Sequence, residues 1–187
     1  MDDNTLMTHV IAGEIDKLGV LYEKYKKPLY AYFFRFTGGD YHASEDLVHN
    51  VFYRVIRYKT SFRGHGSFAS WLFRVAHNTG IDYHKKNRYT DNTRVEVGAI
   101  RAVMDENSGP EKEEQIATLQ KALDKLGSFE RELIILGKIN CLRYKEIADI
   151  LNITESNVKV RIFRALRKLK DIYIKLENTE NEKAGSG

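Results

Sequence analysis

From Tyr144 to Leu169 the chain reads YKEIADILNITESNVKVRIFRALRKL, two helical apolar periodicities with only a few residues between them. A connection this short forces the second helix to turn a corner against the first, which is the helix-turn-helix pattern. Ile147, Ala148, Ile150 and Leu151 supply the apolar side of the first helix, and Ala148 is small enough to let the second cross close by. Asn152 ends it, because asparagine tolerates the left-handed backbone that corners need. Thr154 is the expected N-cap of the second helix, in which Val158, Ile162, Ala165, Leu166, Leu169, Ile172 and Leu176 recur as one buried stripe.

The opposite side of that second helix is unusual. At about 100° per residue, Ser156, Lys159, Val160, Phe163, Arg164 and Arg167 fall together away from the stripe. A merely solvated face has no use for valine and phenylalanine. Interleaved with cations, they match a DNA major groove, where Lys and Arg meet phosphates and guanine edges and apolar groups meet thymine methyls. Seven Lys or Arg between Thr154 and Leu176 face only Glu155 and Asp171, so this segment is far more basic than the chain average of +4, as a polyanion-binding element should be.

Long periodic stretches poor in Gly and Pro, with no sustained two-residue alternation, predict an all-α chain. Apolar periodicity fades after Asn87, and Asp105 to Glu114 (DENSGPEKEE) carries five carboxylates around a Ser-Gly-Pro breaker. We therefore expect an N-terminal domain over 1–90, a linker over 91–111, a C-terminal domain over 112–176 and a disordered tail over 177–187. In the C-terminal domain a helix from about Pro110 should bury Ile116, Leu119, Leu123 and Leu126. After Gly127 a second should start with Ser128 as cap, send Arg131 to solvent and pack Leu133, Ile134 and Leu136. The lone Cys141 excludes an internal disulfide and reads as a small packing residue. The six histidines lack zinc-site spacing, so neither metal nor cofactor is expected. With no run of apolar residues long enough to insert in a membrane and no signal pattern, a cytoplasmic protein is expected.

The N-terminal domain opens with aromatic-rich helices, around Leu18 to Tyr25 and Pro28 to Thr37, whose rings are mostly core. A turn from Gly38 to Ala43 leads to SEDLVHNVFYRVIRY, with Ser44 as the expected cap. Leu47, Val48, Val51, Phe52 and Val55 make its buried stripe, while Asp46, His49, Asn50, Tyr53 and Arg57 face outward in the mixture of a protein-docking surface. The segment SFRGHGSFASWLFRVAHNTGIDYHKKNRY follows: a Gly64/Gly66 loop, Ser67 as cap, a stripe of Phe68, Trp71, Leu72, Val75, Ala76 and Thr79, and a basic exit. Aromatics, the Asn78 amide and exit cations are what holding single-stranded bases requires.

Taken together, YEKYKKPLYAYFFRFTGG, EDLVHNVFYRVIR, SFRGHGSFASWLFRVAHNTGIDYHKK and LGSFERELIILGKINCLRYKEIADILNITESNVKVRIFRALRKL resemble the extracytoplasmic-function sigma factors of bacterial RNA polymerase over nearly the whole chain. The resemblance implies a non-enzymatic initiation factor that partners core RNA polymerase through the clamp helices of its largest subunit, promoter DNA and an anti-sigma factor. It places Asp46, His49, Asn50 and Tyr53 against the polymerase. Phe62, Arg63, Ala76 and Asn78 would cradle a flipped minus-ten base, with Lys85, Lys86 and Arg88 on its backbone. At the minus-thirty-five duplex, Ser156, Lys159, Val160, Phe163 and Arg164 would enter the groove, with Arg161 and Arg167 at phosphates. Two other expectations stay open on the residues alone: a dimeric helix-turn-helix regulator, and a nucleic-acid enzyme using Asp46 and Asp82 with a metal.

Overall fold

The computed structural model describes residues 1–37, 39–87 and 110–184, which are helices and short turns with no strand among them. Two compact units carry, respectively, the first four and the last four helices. In the first, α1 (Asp3–Ala12), α2 (Lys17–Phe36), α3 (Tyr41–Arg57) and α4 (Phe68–Asn87) are joined by short turns, with a 3₁₀ turn at Lys59–Ser61 before the glycine loop. In the second, α5 (Pro110–Asp124), α6 (Ser128–Ile134), a π-helical turn (Ile135–Ile139), α7 (Tyr144–Leu151) and α8 (Glu155–Ala184) follow one another.

Helix α3 packs between α2 and α4, and α1 lies against both α2 and α4. The expected α3 stripe, Leu47, Val48, Val51, Phe52 and Val55, is buried throughout. Two expectations need correction. The aromatic segment forms one helix, running through Pro28. Proline removes one backbone bond, but Leu21, Tyr25, Leu29 and Tyr32 stay on a single buried face across it, and that burial outweighs the local loss. Helix α3 starts earlier than expected because Asp40, not Ser44, caps it, its carboxylate accepting the Ala43 N–H at 2.9 Å. Ser44 is buried and its hydroxyl bonds the Asp40 carbonyl and Thr37. Of the Gly38–Ala43 turn, Gly38 lies outside the described residues.

In the second unit α8 is the common wall, contacting α5, α6 and α7. Val158, Ile162, Ala165 and Leu169 are buried along it, with Leu166, Ile172 and Leu176 packed partly against the same core. The corner forms as the residues dictate: Asn152 is left-handed at φ 53° and ψ 48°, and Thr154 Oγ1 accepts the Asn157 N–H at 3.3 Å. Gly127, rather than Ser128, is the N-cap of α6, and Glu130 reaches back to its N–H at 3.2 Å. The Lys168 ammonium at 2.7 Å and that N–H hold the Glu130 carboxyl below its ordinary pKa.

Four further differences follow from packing. Leu119 is exposed and Thr118 takes its buried place, beside Ala122, Leu123 and Leu126. Arg131 turns inward, donating to the carbonyls of Leu123 (2.9 Å), Asp124 (2.5 Å) and Leu126 (3.1 Å), so it closes the C-terminal end of α5, where carbonyls lack helical partners. Cys141 is exposed and left-handed at φ 53°: it serves a turn. Helix α8 continues to Ala184 where a disordered tail from 177 is expected, since nothing between Glu155 and Ala184 is Gly or Pro. The linker residues 91–109 lie outside the described residues, and α5 begins at Pro110, inside the expected linker.

Gly80 of α4 is a point of closest approach. A Cβ built there would lie 2.6 Å from Cζ of Phe36, so the end of α2 sits on α4 only because that position is glycine. Gly80→Ala is expected to destabilise the first unit by about 1–3 kcal/mol through forced repacking. Urea titration followed by the fluorescence of Trp71, the one tryptophan of the chain, measures this; an unchanged midpoint would contradict it.

Candidate nucleic-acid and polymerase interfaces

Helix α8 carries its two faces at fixed rotation. Because Val158, Ile162 and Ala165 are locked into the core, Ser156, Lys159, Val160, Phe163, Arg164 and Arg167 are all turned to solvent. Phe163 is 70% exposed and Val160 47%, an expense in hydrated apolar surface that folding alone does not require. Arg161 is exposed but tethered: its Nε donates to Asn157 Oδ1 at 2.6 Å and its guanidinium lies 5.1 Å from the Phe129 ring centroid. That stacking aims it beside the start of α6.

Helix α3 turns Asp46, His49, Asn50 and Tyr53 outward together, as expected, with Tyr53 61% exposed. Ile56 and Tyr58 are also exposed on this side. His49, Asn50, Tyr53, Arg54, Arg57, Tyr58 and Asp82 line an open groove of about 660 Å³. Its floor is set by polar ties: Arg54 donates to Asn50 Oδ1 at 3.0 Å and pairs with Asp82 of α4 at 2.8 Å, and the Tyr22 hydroxyl lies 3.3 Å from His49 Nε2. Asp82 thus joins α3 to α4.

Helix α4 begins beyond the glycine loop, in which Gly64 takes φ +71°. Ser67 Oγ accepts the Ser70 N–H at 3.1 Å, the expected cap. Arg63, Asn78, Lys85 and Lys86 are exposed. Phe62 and Ala76, by contrast, are buried at 7% and 0%. Ala76 follows Leu72 by one turn on the core face, and Phe62 packs edge-on to Phe68 and Trp71 at 6.0 and 5.6 Å. Arg88 lies outside the described residues. Helical geometry adds two residues: Trp71, expected in the buried stripe, is only half-buried, and with exposed Arg74 it shares the side of Asn78 and Lys85. The signal was there, since positions 71, 74, 78 and 85 follow the helical period.

Two family descriptions match the chain: Sigma-70 region 2 over residues 21–90 and Sigma-70 region 4 over residues 116–169. The ECF RNA polymerase sigma factor SigM of Bacillus subtilis is 32% identical over 86% of this chain and 97% of its own length. The chain belongs to the ECF RNA polymerase sigma factors. The RNA polymerase sigma factor YlaC of Bacillus subtilis is 30% identical, covering 83% of this chain and 91% of its own. Among solved structures, CnrH in complex with the cytosolic domain of CnrY shares the fold at a TM-score of 0.66 and 22% identity, over 91% of this chain and 96% of that one. The region 2 match spans α3 and α4, and the region 4 match spans the helix-turn-helix. No described helix of this sigma factor is long and apolar enough to cross a membrane.

The rotation of α8 is open to a paired test. Ile162→Ala is expected to cost about 2–5 kcal/mol of stability, whereas Phe163→Ala, one residue on, should stay within about 0.5 kcal/mol. Far-UV circular dichroism melts of both variants measure the difference, and equal losses would mean that the helix is rotated from the orientation described.

Proposed function

We propose that this sigma factor directs core RNA polymerase to promoters by reading the minus-thirty-five duplex with α8 and capturing unpaired minus-ten bases on the exposed side of α4. The observation that carries the duplex half is the solvent-turned set Lys159, Val160, Phe163 and Arg164 on a helix whose opposite stripe is locked in a core. Its mixture of cations and apolar groups complements phosphates, guanine edges and thymine methyls in one groove. Ser156 and Arg167 flank it, and Arg161, stacked on Phe129, is poised for a phosphate.

On the first unit, Asp46, His49, Asn50 and Tyr53 form the polymerase-facing side, with the exposed Ile56 and Tyr58 adding the apolar and aromatic content that anchors protein interfaces. The strand-capturing side comprises Arg63 in the loop, the Trp71 edge, Arg74 and Asn78, with Lys85 and Lys86 for the backbone. An aromatic edge, an amide and cations supply stacking, base-edge bonds and phosphate neutralisation. Captured bases offset the few kcal/mol needed to unstack and unpair them, so opening draws on binding energy. Phe62 and Ala76 support this surface from below. An anti-sigma factor belongs to the proposal because such faces, exposed in the free chain, need cover when initiation is to be withheld; the solved sigma factor RpoE of Bartonella quintana, 22% identical, was captured with the anti-sigma factor NepR.

Arg164→Ala is expected to weaken recognition of the upstream element by about 1–3 kcal/mol while polymerase binding stays intact, measured by holoenzyme binding to promoter fragments with and without that element. Loss of core binding would contradict it. Asn78→Ala should impair open-complex formation more than recruitment to duplex, separable by permanganate reactivity of unpaired thymines. An unchanged pattern removes Asn78 from the strand-capturing side. Promoter-specific initiation only with core polymerase also separates this proposal from a dimeric operator-binding regulator, which would bind duplex tightly alone.

A further inference from the structure

Helix α1 precedes the matched region 2 segment, which begins at residue 21, yet it is tied to both ends of the glycine loop. The Asn4 side-chain amide donates to the Gly66 carbonyl at 2.8 Å, and its Oδ1 accepts the Phe68 N–H at 2.7 Å. At the other end, the Lys59 ammonium donates to the Val10 carbonyl of α1 at 3.0 Å. The helix that makes these ties is itself fixed. Leu6, Met7 and Val10 are buried, and the Asp3 carboxylate accepts the Tyr25 hydroxyl at 2.5 Å and the Lys24 ammonium at 2.7 Å from α2. Asp2 caps the helix through the Thr5 N–H at 2.9 Å.

What Asn4 holds is a segment with little restraint of its own. Side chains built at Gly64 or Gly66 would meet nothing within 4 Å, and Gly64 is left-handed. Asn4 needs to be asparagine: the two bonds call for one donor and one acceptor on a single short side chain, which aspartate and alanine cannot supply. From Phe68 the helix rises about 1.5 Å per residue, so the clasped end of the loop lies about 5 Å along the axis from Trp71 and about 15 Å from Asn78.

We propose that Asn4 is a positioning residue for strand capture: its amide splints Gly66 to the first turn of α4, so that Arg63 and the loop backbone are pre-set when unpaired bases reach Trp71 and Asn78. This rests on the strand-capturing role proposed for α4. Ordering the loop before binding removes a cost that would otherwise be subtracted from affinity for the opened strand. No contact between Asn4 and DNA is required.

Two variants of the full chain separate the splint from a simple cap. Asn4→Asp keeps an acceptor for the Phe68 N–H but sets a carboxylate beside the Gly66 carbonyl; Asn4→Ala removes both bonds without adding charge. For Asn4→Asp, trypsin cleavage at the Arg63–Gly64 bond is expected to accelerate about fivefold, the loss of one neutral hydrogen bond, and for Asn4→Ala, which loses two, at least as much. Permanganate-detected opening by the reconstituted holoenzyme should fall by a similar factor, with core affinity unchanged. The urea midpoint of Trp71 fluorescence should fall for Asn4→Ala and hold for Asn4→Asp. Wild-type cleavage and opening in Asn4→Asp overturn the splint and leave only a helix cap. Asn78→Ala measured alongside keeps the two proposals apart: normal opening there removes Asn78 from the strand-capturing side, whereas an impaired Asn78→Ala beside a wild-type Asn4→Asp overturns the splint alone.

Discussion

The second unit depends on how Val158, Ile162, Ala165 and Leu169 are held against three other helices. A helix is free to turn about its own axis until one stripe is buried. Once these four are enclosed, every other side chain of α8 acquires a defined azimuth, and the exposed set from Ser156 to Arg167 is displayed as a by-product of core formation. Gly137 refines this arrangement. A Cβ there would come within 3.0 Å of Ile162 Cδ1 and 3.2 Å of Ile147 Cδ1, so the π turn lets both helices of the motif settle onto it. The core stripe and the exposed basic and apolar set therefore lie on opposite sides of one element, and residues of the second can change without disturbing the first.

The first unit solves a different problem, that of giving two surfaces a common rigid support. Helix α3 turns Asp46, His49, Asn50 and Tyr53 outward, helix α4 turns Arg74, Asn78 and Lys85 outward, and the Arg54–Asp82 pair at 2.8 Å joins the two helices across the groove. Beneath, aromatic rings interlock: Tyr32 meets Phe73 edge-on at 5.9 Å, and Phe36 lies 4.4 Å from His84. Such packing leaves little scope for one surface to shift without the other. That stiffness keeps the exposed faces of α3 and α4 in fixed register.

Much of this was legible in the residues because the decisive signals are local and periodic. The α8 stripe and its opposite face, the left-handed Asn152, the Thr154 and Ser67 caps and the α3 stripe all follow from spacing within one or two turns. Where the reading failed, the cause lay further away. Pro28 looked like a boundary until tertiary burial on both sides of it carried the helix through. Arg131 looked solvent-bound because its carbonyl partners end a different helix. Phe62 and Ala76, which the resemblance sets around a flipped base, are buried in the free chain, and the α4 period already places Ala76 one turn from Leu72 on the core face. Asn4 was invisible: its partners lie more than sixty positions along the chain, and no period links them. Helix α1 itself could have been found, since Asp2, Leu6, Met7, Val10 and Gly13 are an ordinary cap, stripe and stop.

The turn at Cys141 leads somewhere else. The only thiol of the chain stands exposed in the second unit, while the only indole lies in the first. The wild-type sequence therefore offers a single point for attaching a dye and a single intrinsic donor, one on each side of the linker. Resonance energy transfer between them would report the separation of thiol and indole in the free chain and in the holoenzyme, without a single residue being replaced.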